Sequence, residues 1–525
     1  MCAVNVEPGL AGIFAAMLVI TGRDLDPAAL AMISRDAAPV RLDPEARARV
    51  EAAHALVEHA AREGTPVYGV TTGLGSRVVH SVDGSRAAAF SLRTLRGRAM
   101  AVGPPLDREL TRAAMAVRLN GICAGGSGAS VAVADGLAAL LNAGVHPSVP
   151  RTGSVGAADL CMMAHLGLGL IGEGEAELDG ERMAAAQALA RAGLAPVTLG
   201  AKDGLAICSS AAVSIGAAAL ALLDCEACLA AAQVSAALSM EGLRANLSPI
   251  DPRVVAARSA PGQAWAADGL WQLLAGGSLT DPGAARRLQD PLSFRCASQI
   301  HGALHIALDL LAAALGPELN AAADNPLVLV DDREILSTGN FHVPALAVAL
   351  DATAIAIAQM AAAVGERPAR LRNPQLSGLP ANLVAAEAGD VGAGTHSGVA
   401  PLLKTAQALA LEIRHLAAPL ALVTAIGADS VEDHSTGSAQ AALRLREQLE
   451  RLRLLVAIEL VVGAQAVELA APARLGRGTH AALRFVRELV ASLDDDRPLG
   501  VDVELVADRA LVRGELLVRV AEGGH

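Results

Sequence analysis

Tyr68 is the only tyrosine among 525 residues, and it heads a glycine-rich segment, Tyr68-Gly-Val-Thr-Thr-Gly-Leu-Gly75. A phenol serves as a general base when cationic or dipolar neighbours stabilise its phenolate. The plainer alternative is a ring packed at a strand-to-loop junction. The glycines lack the spacing of a dinucleotide or P-loop phosphate cradle. Arg295, in Leu292-Ser-Phe-Arg-Cys296, is the residue type that grips a carboxylate through two parallel hydrogen bonds, although a lone arginine also serves on surfaces. Only two lysines occur, Lys202 and Lys404. Lys404 stands in an apolar stretch, with Glu412 eight residues on. In a helix the two lie about 80° apart around the axis and ~12 Å apart along it. They address different parts of one cavity, or they belong to a solvent-facing stripe with Arg414 and His415. Glu432-Asp433-His434 reads as a proton relay or as a helix N-cap, and capping is the commoner use.

These residues sit in a chain that must fold around a large core. Hydrophobic residues are 53% and charged residues 18%, which excludes disorder as the main state. A net charge of −12 argues against nucleic acid and against an anionic membrane surface as partners. Seven cysteines, an odd number, imply no disulfide framework and fit a reducing cytoplasm. Cys225 and Cys228 form a C-x-x-C with no second pair to complete a zinc site, so they read as small core residues and no metal is expected. The apolar run within Met1–Leu30 lacks a basic region before it and does not read as a signal peptide; Met17 is an alternative start. Ala206–Leu223 has no charge and Val343–Val364 only Asp351. Such runs either span a membrane or are helices buried on all sides, and the second reading is taken here.

The patterning predicts helices over 44–63, 87–101 and 106–120, and another running to about 142. Long Ala/Leu/Val stretches follow at 205–241, 296–315, 343–365, 397–425 and 435–472, as in a bundle of long helices. The expected fold is mainly α, with a mixed N-terminal domain (18–204) and a long-helix bundle (205–525). Four polar loops, Tyr68–Gly75, Arg151–Asp159, Gln289–Gln299 and Asp324–Asn340, interrupt the apolar chain and are the places for function.

Several segments in order resemble the aromatic amino acid ammonia-lyase family. Tyr68–Gly75 is similar to its Y-G-x-[NT]-T-G-F-G. Arg151-Thr-Gly-Ser-Val-Gly156 with Asp159-Leu160 resembles the segment that holds its electrophile. Lys202-Asp-Gly-Leu-Ala206 resembles K-E-G-L-A, and Ser293-Phe-Arg-Cys-Ala-Ser-Gln299 resembles S-L-R-C-x-P-Q. Asp324-Asn-Pro326, Gly339-Asn-Phe341, Ser377–Pro380, Glu412 and Glu432-Asp433-His434 continue the series. The resemblance implies a helical homotetramer with active sites assembled from three chains. It makes Tyr68 the base for the β-proton and Arg295 the carboxylate clamp, with Asn325, Phe341 and Glu412 retained in the site.

The departures define the expected chemistry. The family cyclises Ala-Ser-Gly into a methylidene-imidazolone that bonds the substrate amine. Here Gly153-Ser-Val-Gly-Ala-Ala-Asp-Leu160 is one residue shorter and has neither that serine nor that glycine, so no such cofactor is expected. Ser209-Ser210 replaces Asn-Gly, Leu292 replaces a second tyrosine, Arg98 stands where several members have histidine, and Lys404 stands where glutamine is usual. A quaternary ammonium needs no electrophile, because it leaves as a neutral tertiary amine. The expected reaction is therefore loss of trimethylamine from an α-trimethylammonium acid, with ergothioneine, the trimethylbetaine of 2-thiohistidine, as the small-molecule substrate. In that reading Tyr68, Lys404 and Glu412 are catalytic, and Arg295, Asn325, Phe341, Arg98 and Ser209 bind substrate. Lys404, with Arg98, holds the sulfur as a thiolate. The alternatives are an amino-acid ammonia-lyase that works without the electrophile, a lyase for a sulfur-free betaine such as hercynine, and a non-catalytic homologue.

Overall fold

A computed structural model describes residues 17–258, 260–384, 396–422, 427 and 431–523. The expectations placed on residues before Met17 lie outside these. The N-terminal part mixes helices with small sheets. Leu18–Ile20 pairs in parallel with Val40–Leu42, and Glu175–Leu178 is the centre of a three-stranded antiparallel sheet. Helix α1 (Pro44–Glu63) has the predicted bounds because local chemistry fixes both ends. The Asp43 carboxylate accepts from the Glu45 and Ala46 amides, Pro44 opens the first turn, and Gly64 closes the last in the left-handed conformation. Helices α2 (Ala87–Arg98), α3 (Arg108–Cys123), α4 (Leu160–Leu170) and α5 (Asp203–Cys208) follow.

The bundle is built on α6 (Ala212–Leu243), α7 (Ala297–Leu319), α8 (Pro344–Leu371), α9 (Leu402–His415) and α10 (Ser438–Ala470). α6 packs along α10, with α3, α7 and α8 around it. Its first three turns, 212–223, carry no charge on any face, which suits a helix enclosed by others, while Asp224 beyond them pairs with Arg35 and Arg453. Cys225 and Cys228 are buried within it, as core residues. One polar contact pins this apolar centre. Glu459 of α10 accepts from Ser235 (2.7 Å) and Ser239 (2.8 Å) of α6 and from Arg367 of α8 (2.8 Å). Glu459 and Arg367 are fully buried, and the paired hydrogen bonds offset the cost of their charges. The main apolar core runs from Ile20 to Leu516, through both halves of the chain, and a smaller separate cluster that includes Val57, Val67, Val70 and Val328 lies under the Tyr68 segment.

By length and composition alone, Asp203–Leu243, Ala297–Leu319 and Pro344–Leu371 are long and apolar enough to cross a membrane. The apolar window of the first is wholly buried inside the chain, whereas those of the other two are 39% and 61% buried. Several boundaries differ from expectation, among them the 205–241 stretch, which is broken between α5 and α6 at Ser209–Ala211. Within 397–425 the described helix is only Leu402–His415. The polar stretch Gln289–Gln299 is partly helical, with a turn at Leu292–Arg295 and the start of α7 at Ala297. Asp324–Asn340 carries a hairpin that pairs Leu327–Leu329 with Glu334–Leu336.

Candidate active site

The Tyr68 segment is a tight turn, and its glycines serve that geometry. The Val67 carbonyl accepts from the amides of Val70, Thr71 and Thr72, and the Thr71 hydroxyl accepts from Val67 N–H at 2.8 Å. Gly69 has φ +68°, and a Cβ there would lie 2.4 Å from Leu205 Cδ2. The turn brings Gly75 N–H to the Tyr68 hydroxyl oxygen, 2.9 Å away. Tyr68 then faces a cavity of about 170 Å³ together with Arg98, Ala157, Ala158, Ser209, Asn325, Phe341 and Glu432.

The loop opposite is where the resemblance places an electrophile. Asp159 N–H donates to the Ser210 carbonyl at 2.8 Å. The Asp159 carboxylate accepts from Ser154 Oγ (2.7 Å), Ser214 N–H (2.8 Å) and Ser214 Oγ (3.0 Å). Burial pushes the Asp159 carboxyl pKa up, and these hydrogen bonds oppose the shift. Gly156, at φ +84°, has no room for a side chain, since a Cβ would meet Thr436 Oγ1 at 2.2 Å. Thr436 Oγ1 and Gly437 N–H in turn donate to the carbonyls of Gly156 and Val155. Ser214 and Ser438 bond to each other at 2.9 Å, so the loop lies against the starts of α4, α6 and α10. Cyclisation needs a free amide nitrogen on a glycine and a serine that can dehydrate. Ala157-Ala158-Asp159 offers methyl groups and an amide already bonded to Ser210. These residues do not fit a methylidene-imidazolone.

Asn325 is held by its own loop. Its side-chain oxygen accepts from Thr338 N–H (3.0 Å) and Ser337 Oγ (3.2 Å). The base of that loop is tied by Asp324, which takes two hydrogen bonds from the buried Arg118, at 2.8 and 3.2 Å. Lys202 Nζ lies 3.9 Å from the same carboxylate, and burial pushes its pKa down to about 8. His342 Nε2 and His434 Nδ1 are 2.8 Å apart and link the loop of Phe341 to the loop of Glu432.

The structure thus gathers Tyr68, Arg98, Ser209, Asn325 and Phe341 around one cavity. Arg295, Lys404 and Glu412 do not line that cavity in their own chain. Arg295 is half-buried, with its Nε unpartnered among the described residues, and the Gln289 side-chain amide lies beside its guanidinium. Lys404 is exposed on α9. Glu412 is exposed and pairs with Arg451 at 3.1 Å. The sequence leaves Glu432 between a relay and a cap. It caps nothing, because Gly437 precedes α10 without a side-chain cap, and it lines the cavity instead. Its place in the Glu432-Asp433-His434 block was the available signal. Arg77 also lines the cavity and carried no signal. Among the described residues no cluster of three or more His, Cys, Asp or Glu is placed to hold a metal.

Comparison with known proteins agrees with this geometry. The pattern of the aromatic amino acid lyase family matches residues 25–488. Histidine ammonia-lyase of Symbiobacterium thermophilum is 40% identical over 489 residues, which is 93% of this chain and 95% of that one. The crystal structure of the ergothioneine-degrading enzyme ergothionase from Treponema denticola, in complex with desmethyl-ergothioneine sulfonic acid, is 30% identical with a TM-score of 0.89, over 95% of this chain and 99% of that one. Tyrosine aminomutase from Streptomyces globisporus is 30% identical with a TM-score of 0.91, over 97% and 99%. The fold is therefore that of the ammonia-lyase type of carbon–nitrogen lyase. The chain belongs to the aromatic amino acid lyase family.

Proposed function

We propose that the chain eliminates an amine from a histidine-derived zwitterion, one whose amine leaves without a protein electrophile. The assigned substrate is ergothioneine, which would give thiolurocanate and trimethylamine. One observation carries this reading. The cavity that holds Tyr68 is faced by two guanidiniums, Arg98 and Arg77, and one carboxylate, Glu432, none of them ion-paired among the described residues, while Ala157 and Ala158 stand where the resemblance places the electrophile. Opposite unpaired charges suit a betaine, and two methyl side chains suit an amine that needs no covalent activation. Tyr68 as phenolate takes the β-proton. The C–H electron pair becomes the new C=C bond, and the Cα–N bond breaks with its electrons leaving on neutral trimethylamine. The phenol then returns its proton to solvent.

Within one chain, the parts expected of Lys404 and Glu412 fall to Arg98 and Glu432. Arg295 would act as a clamp from a neighbouring copy. The exposed Ile306 and Leu310 on α7, and Val348 and Ile355 on α8, support such an assembly, which the resemblance makes a homotetramer. Six free cysteines among the described residues support a reducing, cytoplasmic setting.

A second reading, loss of ammonia from histidine, is favoured by the 40% identity to histidine ammonia-lyase. The test is incubation with ergothioneine, hercynine and histidine, with assays for trimethylamine and ammonia and ultraviolet spectra of the products. Trimethylamine from ergothioneine is expected. Ammonia from histidine alone would overturn the betaine reading, and silence on all three would leave a non-catalytic homologue.

A further inference from the structure

Only two of the 42 basic side chains are lysines, and one of them, Lys202, is fully buried. It stands immediately before α5 with φ +67°, a backbone region that a residue with a Cβ seldom enters. Its Nζ donates to the Ser127 carbonyl and lies 3.9 Å from the Asp324 carboxylate. Lys202 thereby ties the 124–130 loop to the loop that carries Asn325. The two are also joined directly, by Val328 N–H donating to the Gly126 carbonyl at 2.9 Å. The passage between them is narrow. A Cβ on Gly128 would lie 3.4 Å from Lys202 Cδ and 3.0 Å from Val328 Cγ2. A compact ammonium on a thin stem fits such a passage, and a planar guanidinium is broader.

Stability does not account for this ammonium. Arg118 already gives Asp324 two hydrogen bonds and balances its charge. Asp203, the neighbouring carboxylate, is occupied by Ser130 and by the Gly200 amide. A second buried cation on Asp324 costs desolvation, and an apolar side chain of that length would fill the space without it. What the ammonium adds is a fixed point under the cavity wall. Asp324 precedes Asn325, and its carbonyl accepts from Thr338 Oγ1 at 2.9 Å, while Thr338 N–H donates to Asn325. With its oxygen taken by Thr338 and Ser337, Asn325 has its amide N–H groups left for the cavity. Its placement follows that of Asp324.

We propose that Lys202 is a positioning residue of this site: the bridge from its ammonium to Asp324 and to the Ser127 carbonyl sets where Asn325 stands on the cavity wall, and through Asn325 it sets the affinity for a heteroaryl acid. The proposal rests on the elimination reading only for its choice of probe, and its test is a binding measurement that does not need turnover. Besides Asp324, the charged and titratable groups that face Lys202 are Arg118 of α3, Asp203 of α5 and His54 of α1, whose Nδ1 lies 3.0 Å from the Gly128 carbonyl.

The probe is urocanate, a β-heteroaryl unsaturated acid, titrated calorimetrically into the whole protein in a double-mutant cycle. Lys202→Met should weaken binding about tenfold, and Asn325→Ala by at least as much. The double variant should bind no more weakly than Asn325→Ala alone, because one residue acts through the other. A pH series supplies a readout that a filler of space would not move. Burial pushes the Lys202 pKa down to about 8. Native affinity should therefore weaken as pH rises from 7 to 9, and Lys202→Met should lack that step. Should Lys202→Met not fold, Lys202→Gln, which keeps a donor for the Ser127 carbonyl but no charge, takes its place in both measurements. Native-like binding by the variant, additive losses in the double variant, or native affinity that is flat from pH 7 to pH 9 would each overturn the proposal. So would a pH step that persists without the lysine. Failure of the elimination assay with the cycle intact would count against the proposed reaction alone.

Discussion

Asp159 and Ser214 are joined twice: the Ser214 amide donates to one carboxylate oxygen at 2.8 Å, and its hydroxyl donates to the other at 3.0 Å. Ser214 lies in the first turn of α6, so this contact fixes the short 154–159 loop to the buried helix on which the bundle is built. Each buried donor left without an acceptor costs about 1–3 kcal/mol. Asp159→Ala should therefore lower the unfolding midpoint clearly, and Asp159→Asn, which keeps one acceptor oxygen, should lower it less. Urea or thermal melts of the two variants check the order, and equal midpoints would show that the contact carries little stability.

The same loop makes a prediction about covalent state. Cyclisation of three residues into an imidazolone releases water, and Ala157-Ala158-Asp159 lacks the groups for it. Intact-mass measurement of the purified chain should give the mass dictated by its sequence, without a deficit of water. A deficit that maps to the peptide containing 157–159 would contradict the structural account of this loop.

What the sequence made legible depended on how local each signal is. α1 was readable to the residue because Asp43, Pro44 and Gly64 act on their own neighbours. The burial of the first turns of α6 was readable because their lack of charge on any face leaves few alternatives. The start of α10 was misread by three residues, since Gly437 with φ +66° interrupts an otherwise helical pattern. In the site, Tyr68, Asn325 and Phe341 were found through motif blocks. That Arg98 has no ion-pair partner among the described residues was not readable, because it depends on residues from other elements of the chain. Glu432 was hidden for the same reason, its neighbours in sequence resembling a cap. Sequence order also does not tell whose cavity a side chain enters, and Arg295, Lys404 and Glu412 lie away from this cavity in their own chain.

Acid should weaken the fold through His301. This residue of α7 is fully buried, and neither ring nitrogen has a partner among the described residues. Burial, reinforced by the nearby Arg367, pushes its pKa down to about 3, against roughly 6.5 in an unfolded chain. Between those values the unfolded state binds the additional proton, so stability is retained above about 6.5 and lost as pH falls through the window, by about 1.4 kcal/mol per pH unit at most. His146, pushed to about 4 by burial, acts in the same direction. Thermal midpoints from pH 7 to pH 4 should fall less steeply for His301→Gln than for the native chain, whatever the variant's stability at pH 7. Parallel slopes would show that His301 is not a source of the acid sensitivity.

Removing one oxygen tests the assignment of the base. The Tyr68 ring faces the cavity, and its hydroxyl has a fixed partner in Gly75 N–H. In Tyr68→Phe the ring remains to fill its place, while the group that takes the β-proton is gone. General-base catalysis contributes about 10²- to 10⁴-fold, so kcat for elimination should fall by that order. Affinity for the unsaturated acid should change little, because the ring still fills its place on the cavity wall. A variant with near-native kcat would remove Tyr68 from the reaction. A loss confined to KM would make it a binding residue, and the proton would then have to be taken by another group on the cavity wall, with Glu432 the only carboxylate among the described residues that line it.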